Sequence, residues 1–510
     1  MRFLTLLLIL LGLSTALAAQ SAVHFDRPYH VAGEVAWFSF YPGPTVPPKV
    51  RVTVSDPTGK VLDYFFLAAD EGGRLNGYYR WPFTLATGYY SVAFDALAAD
   101  GAVKRFGRVE HAVYSDERVE ADGALTPGKD RPLADARGLT VSAEGNTVAV
   151  GGLNGDNYSV SVHNIDVTGA RPQVLSQVGA AVSASWVDTL FYEARVGLAD
   201  GSPVQTNLLP VFDPATYTFG FTKTDGAGEF LLQSGSFEGG KELQVRSVEG
   251  LELHPTVSVP TAGSSRRRPA VTPEVAAYID LARRRRKIYQ LYATTETELN
   301  ASPAAQERRR LAPNRDFAVQ DYKQFPDMYT FFKEVGGELR VRIKKDNYRA
   351  QLYNAPNQRF FQDTPLYIVD GKLTRNSNFV NTLSPAGVTY LAYYYDNRQL
   401  RRDFPALGNN GVVQIETVRA PEKFPEADAA GIFGIRGVQP PAEFEARNAT
   451  ASEVPVLSPL LLWTTGGGRP SARIELPATD DFGVYRVTVV AHGADGTLRR
   501  ATTTVERSVR

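Results

Sequence analysis

Cysteine is absent from all 510 residues. That excludes disulfides, thiolate metal sites, a cysteine nucleophile, an internal thioester and a lipid-modified N-terminal cysteine. Histidine is scarce, with six in the chain. Even the closest pair, His24 and His30, is six positions apart, so acid–base or metal chemistry has few donors to draw on. An excess of either charge is lacking too. Lys plus Arg number 55 and Asp plus Glu number 55, a formal net charge of 0, which argues against a general polyanion binder. Catalytic signatures are missing: there is no G-x-S-x-G elbow, H-E-x-x-H helix, Walker loop or G-x-G-x-x-G turn after a strand. Beyond the N-terminus no run is long and apolar enough to span a membrane. The best stretch, Val454 to Trp463, is interrupted by Pro455, Ser458 and Pro459. What is present is ordinary for a folded chain: 43% hydrophobic and 22% charged residues can bury a core. The length suggests about three to four domains.

Residues 1–19 read MRFLTLLLILLGLSTALAA. Arg2 supplies a positive start, an apolar stretch follows, and Ala16-Leu17-Ala18 fits a small-x-small cleavage rule. The apolar run is well short of the roughly 20 residues a bilayer core needs. A cleaved signal peptide is therefore expected. An exported protein without cysteine suits a bacterial envelope, either free in the periplasm or held at the outer membrane or cell surface by partners.

The body of the chain alternates with the period of strands. Glu34 to Phe40, Lys49 to Val54, Val61 to Leu67 and Tyr89 to Phe94 are short runs, and the turn Asp56-Pro57-Thr58-Gly59 separates two of them. His24-Phe25-Asp26-Arg27-Pro28-Tyr29-His30-Val31-Ala32-Gly33-Glu34 and Thr87-Gly88-Tyr89-Tyr90-Ser91-Val92 resemble the opening and closing strands of the MG2 domain of the alpha-2-macroglobulin superfamily. The resemblance implies a structural immunoglobulin-like module without catalytic residues. The family's protease-trapping chemistry uses a cysteine thioester and does not carry over.

Tyr158 to Asn164 is a further strand. Ala194 to Val204, with Phe221 to Phe230, is similar to the transthyretin-like or carboxypeptidase-regulatory-like fold. Thr224, Asp225 and Glu229 provide too few oxygens for calcium and read as a turn. After a Ser/Gly/Arg-rich linker, Thr272 as N-cap, Pro273 and Glu274 open a helix. It carries Arg283-Arg284-Arg285-Arg286-Lys287. Five consecutive helical positions splay around the axis, so these cations are expected to lay their stems on neighbouring surface rather than form one stripe.

Residues 316–420 are the most informative. Tyr322 to Val335 reads as a short helix and Leu339 to Ile343 as a strand. Pro365-Leu366-Tyr367-Ile368-Val369-Asp370-Gly371 is a buried strand ending in a turn, and Gly408-Asn409-Asn410-Gly411 precedes the strand Val412 to Thr417. These two stretches resemble the signature of the plug domain of TonB-dependent outer-membrane receptors. Only 92 residues follow Val418 (510 − 418), too few for the receptor's barrel, since even small membrane barrels need at least about eight strands of roughly ten residues. The combination of modules is similar to exported proteins of Bacteroidota.

The expected fold is mainly β: tandem immunoglobulin-like β-sandwiches with a small α+β plug-like domain. The expected order is a signal peptide (1–19), an MG2-like sandwich (20–120), and a β-region with the transthyretin-like module (138–260). A linker with a helix (261–315), the plug-like domain (316–420) and a C-terminal β domain (421–510) follow. No catalytic residue, metal or cofactor is expected. Pro365, Asp370, Gly371, Gly408 and Gly411 read as structural. Tyr390, Tyr393, Tyr394 and Tyr395 with Arg398 form a candidate recognition surface for sugar or peptide, although alternate packing on the two faces of a strand is the favoured account of the tyrosines. The expected function is binding or scaffolding, with another envelope protein as partner, or a glycan or peptide as the alternative, and no nucleic acid. A hydrolase with an unrecognised site is the remaining reading.

Overall fold

The computed structural model describes residues 20–117, 138–168, 175–180, 182–295, 299, 303, 311–322, 325–345, 347–450 and 452–507. The expected signal peptide lies outside the described residues, as does a second basic run in the sequence, Arg308-Arg309-Arg310. The protein is mainly β, built of many small sheets in immunoglobulin-like sandwiches. It divides into two compact units. One comprises residues 1–190, 259–303 and 438–510, the other 191–258 and 304–437.

In the first unit, the alternation read between residues 34 and 94 becomes a two-sheet sandwich. One sheet runs Leu175–Ala180, Gln20–Phe25, Val35–Tyr41, Leu75–Arg80. The facing sheet runs Tyr29–Val31, Val103–Tyr114, Gly88–Leu97, Lys49–Ser55, Val61–Ala68. Inward positions such as Val23, Phe38, Phe40, Val52 and Phe94 form the core, and the Phe40 and Phe94 rings stack 4.1 Å apart. Burying such side chains contributes about 1.5–3 kcal/mol each.

A second sandwich in this unit corrects the contiguous division expected from sequence. Thr140–Glu144 and Thr147–Gly151 pair with Ser471–Glu475, and Asn157–Asn164 lies between Leu460–Gly466 and Gly483–His492, which pairs on with Leu498–Arg507. Residues 138–168 and the C-terminal strands are thus one module with one core. The physical reason is simple. A three-strand segment leaves an apolar face open, and only strands from the far end of the chain close it.

The helix Pro273–Leu291 starts as expected, with the Thr272 hydroxyl accepting from Val275 N. Val275, Tyr278, Ile279 and Ala282 pack against Tyr29, Val31 and Tyr114 of the first sandwich. The basic run splays. Arg285 is buried and faces Asp481 at 3.8 Å. Arg286 donates to Asp116 and to Ala32 O while lying over Phe83. Arg284 and Lys287 are exposed.

In the second unit, Glu229–Ser234, Leu190–Gly197 and His254–Val257 form one sheet. Thr218–Thr222, Leu209–Asp213, Gly240–Val245 and Ile432–Arg436 form another. The last of these strands comes from the region assigned by sequence to the C-terminal domain, which is a further correction. Asp225 accepts from Ala227 N and Glu229 N, and the Thr224 hydroxyl donates to Val204 O. These groups close a turn.

The rest of the second unit is α+β. Its five-stranded mixed sheet runs Arg315–Ala318, Val388–Tyr394, Val412–Thr417, Leu366–Val369, Lys372–Thr374. The short helices Met328–Glu334, Ser377–Thr382 and Asn397–Asp403 and a three-stranded sheet, Leu339–Lys344, Asn347–Asn354, Arg359–Phe360, accompany it. The first helix is shorter than the expected 322–335, because it begins only where the Asp327 carboxylate caps Thr330 N, after Pro326. Among the described residues, no helix is long and apolar enough to cross a membrane.

Candidate functional site

The two stretches of the plug-like signature lie side by side. Leu366–Val369 pairs in parallel with Val412–Thr417, Leu366 opposite Val412 and Val369 opposite Ile415. Both strands are almost wholly buried, as expected for a parallel pair covered on both faces. Pro365 leads into the first strand, and Leu366 N donates to Gly411 O. At the other end Asp370 and Gly371 have φ values of +48° and +84°, a left-handed turn that Asp and Gly tolerate. The Asp370 carboxylate accepts from Thr417 N at 2.8 Å and from the Thr417 hydroxyl at 2.6 Å. This locks the turn to the end of the neighbouring strand.

Gly408 and Gly411 make the tight turn before the second strand, Gly411 N donating to Gly408 O. A Cβ on Gly408 would lie 2.6 Å from the Phe404 side chain, and one on Gly411, whose φ is +82°, would lie 2.5 Å from Leu352 Cδ2. Gly411→Ala is expected to destabilise the second unit by about 2–4 kcal/mol, combining left-handed backbone strain with overpacking. Gly337→Ala, where nothing lies within 4 Å, is expected to change stability by no more than about 0.5 kcal/mol. Chemical denaturation of the two variants checks the contrast.

The tyrosine strand packs alternately on its two faces, which corrects the candidate recognition surface at Tyr393 and Tyr394. Tyr393 and Tyr394 are 0% and 1% exposed and point to opposite faces. Tyr393 packs on Phe317 and donates to Gly336 O; Tyr394 packs on Phe404 and donates to Gln414 Oε1 at 2.8 Å. Burial pushes both phenols above their ordinary value. They are core groups, because the strand is the second of five in its sheet and is covered on both sides. Tyr390 and Tyr395 are half-buried and Arg398 is exposed, on the helix capped by Asp396. Of the candidate recognition surface, these three alone reach solvent.

The first unit holds a polar cluster that sequence reasoning missed. Asp26, Arg27, His30, Glu34 and His111 are all buried. Arg27 donates to Asp26, to Val35 O and to the Tyr278 hydroxyl, which donates in turn to Glu34 Oε1 at 2.5 Å. His30 lies 3.1 Å from Asp26 and shares a 2.8 Å hydrogen bond with His111. Burial alone would raise the Asp26 carboxyl, yet His30 and Arg27 outweigh it and hold the group at about 2. Burial pushes His111 well below the ordinary imidazole range, and the neighbouring His30 adds to the effect. The signal was present in the sequence as Asp26, Arg27, His30 and Glu34 within nine positions. The partners His111 and Tyr278 were invisible because they arrive from distant segments.

A second buried group joins the two sandwiches of this unit. His24 shares hydrogen bonds with the Ser159 hydroxyl at 2.6 Å and the Ser161 hydroxyl at 3.2 Å, and Tyr41 shares one with Ser159. A serine beside a histidine is the geometry of nucleophile activation. Here every member is buried, so no substrate reaches it, and burial pushes His24 down to about 3. His163, also fully buried, is pushed to about 3 by the same cause. No cluster of three or more His, Asp or Glu able to hold a metal ion occurs among the described residues.

No family model and no curated protein matches the sequence. Among solved structures, the chain is similar to Escherichia coli alpha-2-macroglobulin activated by porcine elastase. That likeness has 11% identity and a TM-score of 0.24, covering 96% of this chain and 43% of that one. It is similar to Salmonella alpha-2-macroglobulin reacted with methylamine, with 11% identity and a TM-score of 0.23 over 96% and 39%. It is also similar to a tetra-tandem repeat from the extending region of a large adhesion protein, with 11% identity and a TM-score of 0.16 over 95% and 98%. The chain thus spans less than half the length of either macroglobulin. Likenesses at these scores establish no shared activity.

Proposed function

We propose that this protein is a non-enzymatic binding or scaffold protein of a bacterial envelope, exported and engaging another envelope protein through its plug-like α+β domain. The observation that carries the reading is the parallel pairing of Leu366–Val369 with Val412–Thr417, tied at one end by Asp370 on Thr417. The two stretches that resemble the plug signature are neighbours in one buried sheet. The reading is further supported by how the histidines are placed. Five of the six, His24, His30, His111, His163 and His492, are buried, and their environments are those of structural groups. Immunoglobulin-like sandwiches suit the presentation of such a domain.

The test has two arms. Cell fractionation is expected to place the protein in the periplasm or with the outer membrane. Affinity capture from envelope extracts with the full chain is expected to recover an outer-membrane protein, and recovery of none removes the support for this role. The glycan or peptide alternative keeps only Tyr390, Tyr395 and Arg398 as surface groups. A glycan-array signal abolished by Tyr395→Ala and Arg398→Ala would favour it.

A further inference from the structure

The three-stranded sheet of the second unit ends in an open edge. Among the described residues, Leu339–Lys344 is an outer strand that pairs with Asn347–Asn354 alone. Tyr353 N donates to Glu338 O, which identifies Glu338 and Tyr353 as a hydrogen-bonded pair. In an antiparallel ladder such pairs alternate with non-bonded ones. The Arg340, Arg342 and Lys344 pairs therefore exchange hydrogen bonds inward. The N–H and C=O groups of Val341 and Ile343 point away from the sheet.

The two faces of this edge differ sharply. Register places Arg340 opposite Gln351, Arg342 opposite Arg349 and Lys344 opposite Asn347. One face therefore carries Arg340, Arg342, Lys344 and Arg349, the last three exposed. Arg340 is held flat, donating to Gln351 Oε1 at 2.6 Å and lying 3.9 Å over the Phe360 ring. Arg342 and Arg349 are like charges directly opposite each other, an arrangement that costs stability unless an anion lies between or beside them. No ion pair relieves Arg342, Lys344 or Arg349 among the described residues. On the other face, Val341 is partly buried and Ile343 is 52% exposed.

We propose that this edge is a docking site for an extended peptide of alternating acidic and apolar residues, added antiparallel to Leu339–Lys344. The proposal deepens the binding reading above by giving it a site and a class of partner. Three observations select that occupant. The open backbone groups of Val341 and Ile343 require another strand's backbone. The cations at every second position match carboxylates at every second position, and the intervening Val341 and Ile343 match apolar side chains. Phe360 already lies under Arg340 and is not open to stack a sugar ring. The same cations repel a second copy of the edge, so they block self-pairing while admitting an acidic strand.

The test uses the full chain and a labelled short peptide of alternating valine and glutamate, read by fluorescence anisotropy. Binding is expected, and about tenfold or more is expected to be lost when the same residues are rearranged into separate blocks. Ile343→Pro removes an outward N–H and is expected to cost a similar factor of about ten. Arg342→Glu with Lys344→Glu is expected to switch preference to a valine–lysine peptide. Because a variant could lose its fold, the peptide itself supplies a second readout. N-methylation at its valines, whose N–H groups face the edge, is expected to abolish binding, and N-methylation at its glutamates is expected to leave it intact. Equal binding by the block peptide, or indifference to which amides are methylated, overturns the proposal. Either result would leave the envelope-capture experiment, and the reading it tests, unaffected.

Discussion

Between pH 7 and pH 5 the first unit is expected to lose about 4 kcal/mol of stability through His24 and His163, ahead of most carboxylate protonation, with a further loss through His111. His24 and His163 are pushed by burial to about 3, and His111 is pushed well below its ordinary value. In the unfolded chain each returns to about 6.5. Their folded pKa values are depressed, so their contribution is complete above about pH 6.5. It is lost progressively as the pH falls from there toward 3, because only the unfolded state takes up the protons. His24 and His163 then cost about 2 kcal/mol each at pH 5, and His111 adds a loss of the same sign. Asp26, held at about 2, adds a loss of the same sign, but only below about pH 4.

All four tryptophans, Trp37, Trp81, Trp186 and Trp463, belong to this unit, so tryptophan emission in urea, excited beyond the tyrosine absorption band, reports on it alone. Among the described residues, neither ring nitrogen of His163 has a hydrogen-bond partner. His163→Leu is therefore expected to flatten the pH slope by about one proton, about 1.4 kcal/mol per pH unit. A midpoint that does not move between pH 7 and pH 5 would show that these imidazoles are not held neutral by burial.

Arg27→Met is expected to destabilise the first unit by about 3–5 kcal/mol. The guanidinium is the common donor to Asp26, Val35 O and Tyr278, and it lies 3.4 Å from Glu34. Its removal leaves the buried Asp26 and Glu34 carboxylates without the cation they share. Arg74→Ala also breaks an ion pair, to Asp70 at 2.6 Å, but both side chains there are partly exposed. Solvent screening limits that loss to about 1 kcal/mol or less. Comparing urea midpoints of the two variants by fluorescence separates a buried network from a surface pair. Equal midpoints would mean that the Asp26–Arg27–Glu34 cluster contributes no more than an exposed bridge.

Local elements were legible wherever chemistry acts over a few residues. The strands around residues 35–41, 49–55, 88–97 and 366–369 and the Thr272-capped helix follow from alternation, turn residues and a side-chain cap. The Asp370-Gly371 and Gly408–Gly411 turns were legible because left-handed backbone and close approach favour particular residues. The tyrosines were harder. A run of aromatic residues in a strand has the same composition whether it faces solvent or core, and the two neighbouring strands that bury Tyr393 and Tyr394 come from residues 315–318 and 412–417.

The amino-acid sequence by itself determined that this is a cysteine-free, mainly β protein, where strands such as Val35–Tyr41, Lys49–Ser55 and Leu366–Val369 lie, and that its basic helix would scatter its cations. Those properties depend on backbone preference and side-chain period, which act between near neighbours. Tertiary structure alone decided that residues 138–168 share a sandwich with the C-terminal strands, that Ile432–Arg436 closes the sheet of Leu209–Asp213, and that His111 and Tyr278 complete the cluster around Arg27. Strand pairing between distant segments is chosen by which apolar faces remain uncovered after local folding. That competition is settled by the whole chain at once and leaves no trace in any short window of it.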